Sequence, residues 1–225
     1  FNIVRYDVPM LTEEFLRASG LGSRMVDEFF RPFLGGVFLE PDLRTSSRMF
    51  RFVFRMFAQG DAAIPAGGMG KIPAQLASRL PESAVRLNAA VQSVDPTRVV
   101  LASGEEIRCE QVVVATDGTT AARLVAGVRA PVWNPVACVY FEAERAPVTD
   151  PVLILDGEGR GPVNNLCFPT QVASEYGPAG RTLVSASAIG AHAEADDLVD
   201  GMREQLSEWF GSEVDGWRHL RTYRI

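Results

Sequence analysis

The chain has 225 residues, 28 acidic against 22 basic side chains, a formal charge of −6 and a composition that is 47% hydrophobic and 22% charged. This is the balance of a globular chain long enough for one large core or two small ones, and it argues against disorder and against general nucleic-acid binding, which rests on neutralising phosphates. Cys109, Cys138 and Cys167 form no C-x-x-C pair, and His192 and His219 lie far apart, so neither a disulfide framework nor a zinc or histidine-rich metal site is expected.

No apolar run approaches the roughly 20 residues of a membrane span, and no charged-then-apolar leader opens the chain. The expectation is a cytoplasmic protein. Because the chain starts at Phe1 and not at a methionine, it is expected to be a fragment of something longer.

From the N-terminus, Leu11-Thr12-Glu13-Glu14 offers Thr12 as a helix cap with acids in the first turn, and Gly20 and Gly22 stop that helix. Ser23 caps a second short helix through Phe30, Arg31-Pro32 ends it, and Gly35-Gly36 makes a loop. Thr45 to Gln59 is the clearest helix. Met49, Val53 and Met56 share one stripe, Phe50, Phe54 and Phe57 lie beside it, and Arg48, Arg51 and Arg55 take another face. Two readings stay open: a core helix with an arginine edge, or an aromatic arc lining an apolar ligand cavity.

From Ala62 the texture changes. Pro65-Ala66-Gly67-Gly68-Met69-Gly70 is a glycine loop, and Pro73, Leu76 and Leu80 suit a helix after it. Short β-like pieces follow at Val85–Leu87, Val91–Val94, Val99–Leu101 and around Ile107. The run Val112-Val113-Val114-Ala115 predicts a strand buried on both faces. Asp117-Gly118 ends it, and Thr119 to Val125 suits a helix. Strands are then predicted at Val136–Phe141, Val152–Leu155, Asn165–Phe168 and Thr182–Ile189. A helix from about Glu194 to Phe210 with Leu198, Met202, Leu206 and Trp209 as its buried stripe comes next, and Arg218 to Ile225 forms a last strand.

Several motifs fail on inspection. Gly20-Leu21-Gly22 has Met25 in place of a third glycine and follows a helix, so it is no dinucleotide fingerprint. Gly70-Lys71 lacks the Ser or Thr of a phosphate loop, since Ile72 follows. Ser185 and Ser187 lack a nucleophile elbow. Glu194, Asp196, Asp197 and Asp200 read as a solvated helix face and not a metal site. What remains is an order: glycine loop, helix, β-meander, then the apolar run ending in Ala115-Thr116-Asp117. Absent side chains at Gly67, Gly68 and Gly70 let a bulky ligand approach the backbone, or simply form a tight turn into the helix.

The run RPFLGGVFLEPDLRTSSRMFRFVFRMFAQGDAAIPAGGMGKIPAQLASRL, followed by VRLNAAVQSV, VVLASGEEI and VVVATD, resembles the middle of a flavin-containing amine oxidase superfamily protein, a group that includes protoporphyrinogen oxidase and phytoene desaturase-like enzymes. The likeness is most specific from Arg31 to Asp117. It implies an α+β fold in which an antiparallel sheet flanked by helices forms a substrate domain, with an internal segment of a Rossmann-like FAD-binding domain. Residues 1–60 and 126–225 would form the substrate part and residues 61–125 the central FAD segment.

The same resemblance implies FAD as cofactor in the full-length protein, with Val91, Ala115 and Thr116 as cofactor-binding residues. Gly68, Met69, Lys71 and Phe54 would face a small apolar substrate, oxidised at a C–N or C–C bond by hydride transfer to the flavin. The G-x-G-x-x-G segment of such proteins does not occur here, so the isolated chain is expected to lack flavin and activity. Its natural partners would be the missing FAD-domain segments of the same chain, and apolar surface meant for them could make the chain dimerise. The alternative is a non-catalytic binding or interaction module.

Overall fold

The computed structural model describes residues 10–225. The chain folds as two compact units, one of the residues up to Lys71 together with Asn134–Ile225, the other of Ile72–Trp133. Among the described residues no helix is long and apolar enough to cross a membrane.

Helix α1 spans Thr12–Ala18. Leu11, and not Thr12, stands at its cap, and the Glu14 carboxylate accepts from the Leu11 N–H at 3.1 Å. Thr12 is instead buried, and its hydroxyl donates to the Thr45 carbonyl at 2.7 Å. A buried hydroxyl must find a partner, and this one finds it across the fold. Helix α2, Ser23–Met25, runs through a π-helical turn at Val26–Phe30 directly into α3, Arg31–Phe38. The expected break at Arg31-Pro32 is therefore absent. Pro32 is the second residue of α3, immediately after the π segment.

Nor do Gly35 and Gly36 form a loop; both lie inside α3. A Cβ on Gly36 would sit 3.0 Å from the side chains of Asn164 and Asn165, and one on Gly35 would sit 3.1 Å from Ile189. These glycines let the helix press against the sheet described below. Helix α4, Ser47–Gln59, is capped by the Ser46 hydroxyl, which accepts from the Arg48 N–H at 3.3 Å. Leu16, Val26, Phe30, Leu34, Leu43 and Phe50 form the buried cluster of this helical part.

Helix α5, Lys71–Ala77, leads into the second unit. There β1 (Val91–Asp95), β2 (Arg98–Leu101) and β3 (Glu106–Arg108) make an antiparallel meander, and α6 (Gly118–Leu124) packs against β1. Asp117 caps α6 by accepting from the Thr120 N–H at 2.9 Å. Two expected strands do not form. Val85–Leu87 is irregular, following a 3-10 turn at Glu82–Ala84. Residues 112–115 are not a strand either, and Val113 is 86% exposed. A strand is defined by lateral hydrogen bonds, and no described segment pairs with this run.

The first unit resumes with a five-stranded antiparallel sheet built from β4 (Val136–Ala143), β5 (Ile154–Leu155), β6 (Asn165–Cys167), β7 (Thr182–Ile189) and β8 (Arg218–Arg224), in the order β5-β6-β7-β4-β8. Helix α7, Pro169–Val172, follows β6; α8, Ala191–Glu194, and α9, Leu198–Phe210, lie between β7 and β8. Alternation sends Ala137, Val139, Phe141, Val184, Ala186 and Ala188 into a core with Leu198, Met202, Leu206 and Trp217. The single helix expected over 194–210 is thus two helices. The carbonyls of Ala193 and Ala195 accept from the Arg224 guanidinium, which takes the place of a continuing turn. The acidic residues of this stretch are exposed, and no metal-ligating cluster occurs among the described residues.

Candidate functional site

The sheet has one face in the core and one that is only half covered. Period-2 alternation puts Cys138, Tyr140 and Glu142 of β4 on the second face, beside Ser185 and Ser187 of β7 and Asn165 and Cys167 of β6. Cys138 pairs across the ladder with Ser187 and Tyr223, and Tyr140 with Ser185 and Arg221. The Cys138 sulfur lies 3.4 Å from the Ser185 hydroxyl. The hydrogen bond between Tyr140 and Cys138, reinforced by burial, pushes the Tyr140 phenol up to about 12. Burial also raises the Cys167 thiol above its ordinary value. Tyr140 meets Tyr223 edge-on at 5.9 Å between ring centres, and the Arg221 guanidinium stacks 4.8 Å from the centre of the Tyr223 ring. The face therefore carries the hydrogen-bonding side chains of Cys138, Tyr140, Ser185 and Ser187 together with the ion-paired Glu142 carboxylate, and the Arg221 cation stands at its edge.

The glycine loop exposes bare backbone. Gly67 and Gly68 have φ of +78° and +96°, which a side chain would strain. Gly68 and Gly70 have no heavy atom within 4 Å of the place a Cβ would take, so their backbone faces open space. The Gly68 N–H donates to the Pro65 carbonyl at 3.0 Å, and the Lys71 N–H to the Gly68 carbonyl at 3.1 Å. Tyr176, in a 3-10 turn at Ser174–Tyr176, donates its hydroxyl to the Pro65 carbonyl at 3.0 Å and so ties the loop to the sheet region.

The predicted residues fall into two groups. Gly68, Met69 and Lys71 share this exposed loop in the first unit, where Phe54 sits on α4, 44% exposed, with its ring 5.4 Å from that of Phe50. Val91 opens β1 in the second unit, half-buried, with a register irregularity between Val91 and Ser93. Ala115 and Thr116 lie in the same unit just before α6, both exposed. A further cleft of about 500 Å³, lined by Asp27, Arg31, Asn164 and His192 among others, contains none of them. Sequence reasoning did not single out Tyr140, Tyr176, Arg221 or Tyr223. Only the alternation of Val136–Ala143 was available to place Cys138 and Tyr140 on one face.

A family model described as flavin containing amine oxidoreductase matches residues 10–224, and the chain belongs to that family. The family implies a flavin cofactor. The open backbone at Gly68 and Gly70 fits the close approach of such a planar group. Solved structures share the fold. The PF1083 protein of Pyrococcus furiosus matches with a TM-score of 0.77 at 13% identity, covering 98% of this chain and 58% of its own. A putrescine oxidase variant matches at TM-score 0.72 and 14% identity, covering 100% and 55%. Reduced UDP-galactopyranose mutase matches at 0.67 and 14%, covering 98% and 56%. The chain thus spans little more than half the length of these proteins. No curated protein sequence matches it.

Proposed function

We propose that the chain is an internal portion of an FAD-dependent oxidoreductase that oxidises a C–N or C–C bond of a small apolar substrate, with hydride passing to the flavin. In this reading residues 61–125 belong to the FAD half, and residues 1–60 and 126–225 to the substrate half. The observation that carries it is the glycine loop of a family member: Gly68 and Gly70 present bare backbone to open space where a large planar ligand needs it.

Bound FAD supplies the two-electron acceptor. The chain's own residues bind, orient and keep water out. Val91, through its backbone, and Ala115 and Thr116 would hold the cofactor. Phe54 and Met69 offer apolar contact to the substrate, and Lys71 sets a cation at the mouth of the glycine loop. Tyr140 keeps its proton well above neutrality and acts as a hydrogen-bond donor or acceptor, not as an ionised base.

The test is the visible spectrum of the complete gene product, recorded before and after adding candidate amines and polyenes. A yellow protein bleached by one of them is expected, and a complete protein without flavin absorbance would sink the reading. A second reading, a non-catalytic association module, draws on the exposed Leu87, Val113 and Val132 of the second unit. A colourless complete protein that sediments as a dimer would favour it.

A further inference from the structure

We propose that the Tyr140–Tyr223–Arg221 corner of the sheet is a binding site for the anionic end of an otherwise apolar ligand, a carboxylate carried on a hydrocarbon chain or ring. The proposal rests on the reading that this face belongs to the substrate half, and it adds the polarity of the substrate's far end.

Arg221 stands opposite Tyr140 in the β4–β8 ladder, and its guanidinium is stacked on Tyr223. Stacking fixes the plane of the group and leaves its N–H edge free to present a fork to a carboxylate. Among the described residues no carboxylate pairs with Arg221, whereas Arg31, Arg86, Arg98 and Arg218 each hold one. The acid on this face, Glu142, is bound by Arg218 at 2.9 Å and faced by Arg181 at 3.9 Å. Its charge is met without Arg221. Tyr140, the ladder neighbour of Arg221, is half-buried, and beyond it on the same face lie the half-buried Cys138 and Ser185 side chains. Val136 and Leu183 add apolar surface on the same face. A carboxylate gains charge-assisted hydrogen bonds here, while an alkylammonium meets a fixed charge of its own sign.

The experiment titrates this chain with octanoate, octanamide and octylamine, followed by NMR of the arginine side-chain N–H and tyrosine ring signals. Octanoate is expected to bind about 10-fold more tightly than octanamide, and octylamine more weakly than either. Arg221→Gln should abolish the octanoate advantage and leave octanamide within about twofold; Arg221→Lys should keep part of it. Arg221 is exposed, so both variants should retain the parent circular dichroism spectrum. Equal affinity for the three ligands, or an octanoate advantage that survives Arg221→Gln, would overturn the site. The oxidoreductase reading fails separately: a flavin-free complete protein with the octanoate preference intact removes that reading alone. A yellow, substrate-bleached protein without the preference removes this proposal alone.

Discussion

Gln205→Leu tests the polar joint that holds the 156–163 loop to α9. Gln205 is buried, donates its amide N–H to the Asp156 carboxylate at 3.0 Å, and accepts from the Val163 N–H at 2.8 Å. Asp156, also buried, accepts at 3.0 Å from the N–H groups of both Glu158 and Gly159 with its other oxygen. Leucine nearly conserves the volume, so the cavity contribution is small. What it removes is the partner of one buried carboxylate oxygen and of one buried N–H. Each orphaned group costs about 1–3 kcal/mol, so the sum is about 2–6 kcal/mol. For a chain of this size that lowers Tm by roughly 2–4 °C per kcal/mol. Urea unfolding followed by tryptophan fluorescence measures it, since Trp209 and Trp217 both lie in the first unit. A loss under about 1 kcal/mol at unchanged m-value would refute the reasoning, because it would mean that water satisfies both groups. Gly161→Ala supplies an internal control. Its Cβ would overlap the Gln205 amide, so its cost should shrink sharply once Gln205 is already Ala.

Phe54→Ala should cost about 2 kcal/mol, roughly half the 3–5 kcal/mol of a fully buried phenylalanine, because the ring is 44% exposed; a loss above 4 kcal/mol in chemical denaturation would put it in a closed core. Gly157→Ala should destabilise by about 1–3 kcal/mol, since its Cβ would meet the Glu28 carbonyl at 2.8 Å, and a neutral melting curve would contradict that packing. Hydrogen bonds from Arg17 and Arg31 hold the Glu13 carboxyl below its usual range. Its stabilisation is therefore present at neutral pH and lost as pH falls through that lowered value, and Glu13→Gln should flatten this part of the acid-unfolding profile. For Tyr140, whose phenol lies at about 12 against an ordinary 10, the sign reverses. Stability should fall as pH rises from 10 to 12, Tyr140→Phe should remove that contribution, and Cys138→Ala should bring the midpoint down in an ultraviolet titration.

What the sequence made legible was what neighbouring residues decide together. The alternation in Thr182–Ile189 defines a strand with those same bounds, and the order of the meander from Val91 to Arg108 was visible in its apolar pairs and turn residues. Gly35 and Gly36 read as a loop because local propensity favours one, yet their role is set by Asn164, Asn165 and Ile189 from distant strands. Val112–Ala115 shows the limit from the other side, since an apolar run states a preference for burial while pairing depends on what lies alongside. The anion corner was out of reach for a sharper reason. The β4–β8 ladder pairs Tyr140 with Arg221 but Phe141 with His219, so Leu220 is an extra residue in a bulge. Counting back from the Phe141–His219 pair without that bulge, Leu220 would face Tyr140 and Arg221 would stand opposite Val139, on the core side of the sheet. A slip of one residue exchanges the two faces of a strand. The bulge at Leu220 is therefore what turns Arg221 out of the core and beside Tyr140, and that register is a property of two strands together which neither strand's sequence states alone.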